Sequence, residues 1–118
     1  MFDCGESTQI QLMRSTVKPG KITKIFLTHL HGDHIFGLPG LLCTIGQNIV
    51  ENKTLEIYGP LGTRRFIRTS LELSRSLVTY KYVVHELIPV DEQIPEEIKV
   101  TIKLNFFNVL SIWFVLCN

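Results

Sequence analysis

Three of the chain's four histidines and one carboxylate fall within six positions, as His29, His31, Asp33 and His34. Imidazole and carboxylate together are the ligand set of zinc and other borderline first-row metals. In an extended segment residues i and i+2 point to the same side, so His29 and His31 can converge on one ion. Gly32 then lets the backbone turn without a clashing Cβ, after which Asp33 and His34 can face a second ion. Two metals about 3.5–4 Å apart hold a hydroxide between them and stabilise the leaving oxygen of an in-line displacement. A water titrating near neutrality on such a centre supplies a nucleophile without Ser or Cys. The competing reading is a set of surface histidines with no ligand role. The density of the cluster, directly after an apolar strand, weighs against it. A single-zinc helical site is excluded, because His85-Glu86 lacks the second histidine of HExxH.

The elements that must position this cluster come before and after it. The run Ile25-Phe26-Leu27 within Ile22 to Thr28 predicts a strand buried on both faces, with the histidine loop at its C-terminal end. Upstream, Met1 to Gly5 has the character of a strand end running into a turn. Ser7 is placed to cap a short helix reaching about Ser15. Downstream, Gly37-Leu38-Pro39-Gly40 leads into a buried helix over Leu41 to Ile45, whose start the glycines and proline blur. Leu55 to Tyr58 reads as a strand ended by Gly59-Pro60. Gly62 to Ser74 reads as a helix with Phe66, Ile67, Leu71 and Leu73 apolar and Arg64, Arg65 and Arg68 opposite. Tyr80 to Ile88 is a further strand, rich in β-branched and aromatic residues, and Pro89 to Glu97 a loop. Strands alternating with helices indicate an α/β domain.

Composition narrows the classes. A length of 118 residues with 45% hydrophobic content suits one globular domain. A net charge of +1 offers no global attraction for nucleic acid or membranes, so any basic surface is local. Cys4, Cys43 and Cys117 form no CxxC pair and are odd in number, which suits a reducing compartment. No charged segment followed by an apolar one opens the chain, so no secretory signal is expected. The three arginines could meet phosphate, but such a helix face is more often simply solvated.

The tail changes character. Ile98 to Lys103 could add a strand, and Leu104 to Cys117 is an almost unbroken apolar run. As a helix that run would reach about 21 Å, short of the roughly 30 Å hydrocarbon core, so no membrane anchor is expected. It is either a terminal core strand or a segment foreign to the fold, and its uncharged aromatic composition favours the second.

The pattern H-x-H-x-D-H at His29 to His34 resembles the signature loop of the metallo-β-lactamase superfamily. Its surroundings resemble the ribonuclease Z family of zinc phosphodiesterases in its short form. The stretches that carry the resemblance are Phe2-Asp3-Cys4-Gly5-Glu6-Ser7-Thr8-Gln9, Thr28 to Leu42, and Ile57-Tyr58-Gly59-Pro60, with Val83 to Leu87 a weaker match. The likeness runs from about Phe2 to Glu97. It implies residues 1–97 as part of a metallo-β-lactamase αβ/βα sandwich, roughly its N-terminal half, and 98–118 as a divergent tail.

The resemblance further implies a two-zinc site in which His29 and His31 bind one ion, while Asp33 and His34 bind the other. Asp33 would also orient the attacking water or take its proton. The reaction implied is hydrolysis of one phosphodiester of precursor tRNA, leaving a 3′-hydroxyl on the tRNA and a 5′-phosphate on the trailer. Asp3 would support the metal loop from the neighbouring strand, and Ser7 stands where the family has glycine. A homodimer of the full-length protein and a cytoplasmic or nuclear location follow from the same likeness. The family needs a third histidine for each ion and a bridging aspartate, whereas His85 matches a residue that is not a ligand. The expectation is therefore a truncated, inactive form. The alternatives are another hydrolase of the superfamily, such as a thioester or lactam hydrolase, and a non-catalytic isoform.

Overall fold

The computed structural model describes residues 1–46 and 53–88. Three parallel strands, β1 (Lys24–Phe26), β2 (Thr54–Pro60) and β3 (Lys81–Leu87), form a sheet in that order. Parallel neighbours require crossovers, and the helices supply them. The short α2 (Gly32–Ile35) and the longer α3 (Leu38–Gly46) follow β1, and α4 (Thr63–Leu73) joins β2 to β3. Ahead of the sheet, α1 (Thr8–Arg14) and a 3₁₀ turn (Pro19–Lys21) complete the element order of the described residues. Phe2 adds one parallel bridge to Phe26, so the N-terminus runs beside β1 as a rudimentary fourth strand.

The core lies on one face of the sheet. Ile25, Leu27, Leu55, Ile57 and Val84 pack with Leu38, Leu41, Leu42 and Ile45 of α3, Ile67 and Leu71 of α4, and Cys4 and Ile35. β1 is thus buried on one face and not on both as its sequence suggests, because Phe26 is only half-buried. On that second face Phe2, Phe26, Tyr58 and His85 stack in a row, with ring centroids 5.1, 5.0 and 4.5 Å apart. Register explains the row, since Phe26, Tyr58 and His85 are successive partners across the three strands.

Several local expectations change. Gly59 and Pro60 do not end β2 but belong to it, pairing with Glu86 and Leu87 of β3. The ladder to the first strand closes with Leu27 N–H donating to the Tyr58 carbonyl (2.7 Å), and Pro60, at the next donor position of β2, has no N–H to extend it. α3 begins at Leu38, with Pro39 in the first turn, where a proline's absent donor costs no helical bond. Ser7 occupies the N-cap position of α1 but makes no side-chain cap bond; its φ of 63° turns the hydroxyl away from that role. A left-handed φ is a conformation that glycine adopts at lower cost than serine. Leu73 leaves the apolar face of α4 and is exposed, while Thr63 joins Ile67 and Leu71 inside. The residues assigned to the loop Pro89 to Glu97, the strand Ile98 to Lys103, the apolar run and the boundary at 97/98 lie outside the described residues.

Candidate metal centre

Backbone approaches that only glycine permits hold the histidine loop against the N-terminal segment. A Cβ on Gly5 would stand 2.0 Å from the carbonyl oxygen of Asp33, and one on Gly37 would stand 1.9 Å from that of Gly5. Hydrogen bonds lock the approach. Cys4 N–H donates to the His34 carbonyl (2.7 Å), and Gly37 N–H donates to the Cys4 carbonyl (3.0 Å). Gly32 works differently from the turn its sequence suggests. Its φ is not left-handed, and its missing Cβ spares the ring of Phe36, 2.2 Å from where that atom would lie. Asp33 and His34 sit within α2, the single helical turn that follows His31.

Asp3 is the hub of the polar contacts. Its Oδ1 accepts from Thr28 N–H (2.8 Å), both its oxygens lie 3.0 Å from the Thr28 hydroxyl, and its Oδ2 is 2.9 Å from His34 Nδ1. The support expected from Asp3 is thus present. Burial alone would raise its pKa, but the Thr28 and His34 hydrogen bonds outweigh it and hold the carboxyl below its ordinary value. A carboxylate only accepts, so His34 donates from Nδ1 and its Nε2 is left to face the loop. The Asp3 bond also raises the His34 pKa. His29 goes the other way, lowered by burial and by the neighbouring His34 and His31.

The cluster is a contiguous group. His29 lies 4.0 Å, centroid to centroid, from His34 and 4.7 Å from His31. Asp33 Oδ2 is 3.4 Å from His34 Nε2, on a side chain 75% exposed. The sequence pairs His29 with His31, whereas the structure sets the His29 ring closer to His34. Among the described residues no three His, Cys, Asp or Glu side chains gather their donor atoms as one ion needs. The donor types, three imidazoles and a carboxylate, fit zinc.

Two residues that sequence reasoning did not single out matter here. Thr28 is one, and its signal was its place at the strand's end beside His29. The other is Glu86, whose Oε1 accepts from Gly62 N–H (2.8 Å) and Arg64 N–H (3.1 Å) at the start of α4. Arg64 in turn donates to the Val84 carbonyl (2.8 Å), so it is a strand-to-helix clasp, not part of a free phosphate patch. His85 lies on β3, away from the histidine cluster's loop. It stacks on Tyr58, with Nε2 3.6 Å from Glu56.

The first strand of this parallel sheet thus delivers H-x-H-x-D-H onto a glycine-packed loop. The chain belongs to the metallo-beta-lactamase superfamily, whose sequence profile matches residues 1–105. It is 58% identical over 100 residues to mouse "Zinc phosphodiesterase ELAC protein 1", covering 82% of this chain and 28% of that protein. It is 53% identical over 88 residues to "Ribonuclease Z" of Lactococcus lactis, covering 74% and 29%. The crystal structure of human tRNase Z, short form (ELAC1), superposes with a TM-score of 0.71 at 59% identity, covering 81% of this chain and 37% of that one. The chain thus spans under a third of the length of the curated relatives it matches.

Proposed function

We propose that this chain carries part of the active site of a zinc-dependent endoribonuclease that removes the 3′ trailer of precursor tRNA. The observation that carries the reading is the His29–His31–Asp33–His34 cluster, held on its loop by Asp3 and packed through Gly5 and Gly37. Names of relatives at 53–58% identity point the same way. His29 and His31 would hold one ion, and Asp33 and His34 the other. Bound zinc supplies Lewis-acid activation of water and charge stabilisation of the departing oxygen. Asp33, exposed beside the His34 ring, orients the attacking water and takes up its proton. Asp3 keeps the His34 ring in the tautomer that presents Nε2. With partial coordination from the described residues, the 118-residue chain alone binds zinc weakly and leaves precursor tRNA intact.

The same reading carries a homodimeric full-length assembly and a cytosolic or nuclear setting, where the free thiols Cys4 and Cys43 stay reduced. Among the described residues no helix is long and apolar enough to cross a membrane.

The test is a chimera joining residues 1–97 to the remainder of the mouse relative, assayed on a precursor tRNA labelled in its trailer. Zinc-dependent release of a 5′-phosphorylated trailer is expected, falling by about 10²–10⁴-fold in Asp33→Asn. A folded, zinc-loaded chimera that leaves the precursor intact while hydrolysing a thioester or lactam would overturn the reading.

A further inference from the structure

The Thr28 hydroxyl sits between two partners, and it has one proton to give. Both oxygens of Asp3 lie 3.0 Å away on one side, and His29 Nδ1 lies 2.9 Å away on the other. If Thr28 donated to His29, its oxygen would face both carboxylate oxygens at 3.0 Å with no proton between them, an unrelieved repulsion. Donation to Asp3 instead makes a charge-assisted hydrogen bond, the stronger of the two possibilities. The hydroxyl lone pairs then remain for His29, which must be the donor.

We propose that Thr28 is a positioning residue that relays Asp3 to His29, fixing that ring as its Nδ1–H tautomer with the Nε2 lone pair turned to the metal loop. One carboxylate thereby sets two rings, His34 directly and His29 through the hydroxyl. Without the relay, a neutral imidazole distributes its proton between both nitrogens, and the ring loses the anchor that fixes its rotation. The consequence for zinc rests on the function proposed above, but the tautomer itself does not.

Long-range proton–nitrogen spectra of the histidine rings, recorded on the metal-free chain and on the chimera at neutral pH, read the tautomer directly. In wild type, His29 and His34 should both carry the proton on Nδ1. Thr28→Val removes the relay at nearly constant shape. It should shift His29 towards Nε2–H, leave His34 unchanged, and weaken zinc binding of the chimera by about 10–100-fold. Thr28→Ser keeps the hydroxyl and should restore both signatures. Asp3→Asn should disturb both rings. A wild-type His29 protonated on Nε2, or a His29 that keeps its Nδ1 proton in Thr28→Val, would overturn the proposal even where zinc binding and cleavage persist. Should Thr28→Val not fold, the wild-type tautomer together with Thr28→Ser still decides it. Loss of cleavage with the tautomers intact would count against the function and not against the relay.

Discussion

A Cβ on Gly5 would stand 2.0 Å from the carbonyl oxygen of Asp33, so the N-terminal segment and the histidine loop touch backbone to backbone. Neither side can yield by a rotamer change. Gly5→Ala is therefore expected to push the loop away and cost about 1–3 kcal/mol. Gly37→Ala, facing the Gly5 carbonyl at 1.9 Å, should behave alike. Urea unfolding of both variants checks this. Stabilities near wild type would mean the approach is looser than the geometry states.

Ser7 holds a φ of 63° and makes no side-chain cap bond. Relief of a left-handed conformation outweighs glycine's extra chain entropy here, so Ser7→Gly should stabilise the fold by about 0.5 kcal/mol. Ser7→Ala should cost far less than the roughly 1 kcal/mol of a working N-cap. Thermal unfolding of the pair separates strain from capping, because a working cap would make Ser7→Gly destabilising by a few tenths of a kcal/mol and Ser7→Ala by about 1 kcal/mol.

Glu86 reaches across from β3 to accept two N–H groups at the start of α4. Glu86→Ala should cost about 1–3 kcal/mol, since it leaves those donors without their charged acceptor. Glu86→Gln keeps an oxygen and should lose less. Hydrogen exchange at Gly62 and Arg64 is the local readout, and it should accelerate in Glu86→Ala before the rest of the helix responds.

Cys4 is fully buried, and burial pushes its thiol up to about 11. An acid whose folded pKa exceeds its unfolded value stabilises the fold below the unfolded pKa. That stability falls as pH rises between the two, here from about 9 to about 11. Cys4 should consequently resist alkylation at neutral pH while the half-buried Cys43 reacts, and it should become reactive only as the fold opens. Mass spectrometry after timed iodoacetamide treatment distinguishes the two thiols. Equal rates for both would contradict the packing.

What the sequence determined by itself is local. His29, His31, Asp33 and His34 stand out as a cluster by type and spacing, and the apolar run Ile25-Phe26-Leu27 announces the strand that carries them. Periodicity placed α4 over Thr63–Leu73 and β3 over Lys81–Leu87 to within a residue or two, because packing there follows a pattern the chain itself repeats. Tertiary structure decided whatever depends on residues far apart in the chain. The Asp3 carboxylate meets Thr28 and His34, Glu86 meets the start of α4, and the His29 ring comes to lie nearer His34 than His31. One-sided burial of β1 and the left-handed turn at Ser7 belong with these. Residue types specify which groups can bond, but their partners are fixed only when the N-terminal segment folds back beside β1. The histidine cluster was therefore legible in the sequence, and the hydrogen bonds that hold its loop were not.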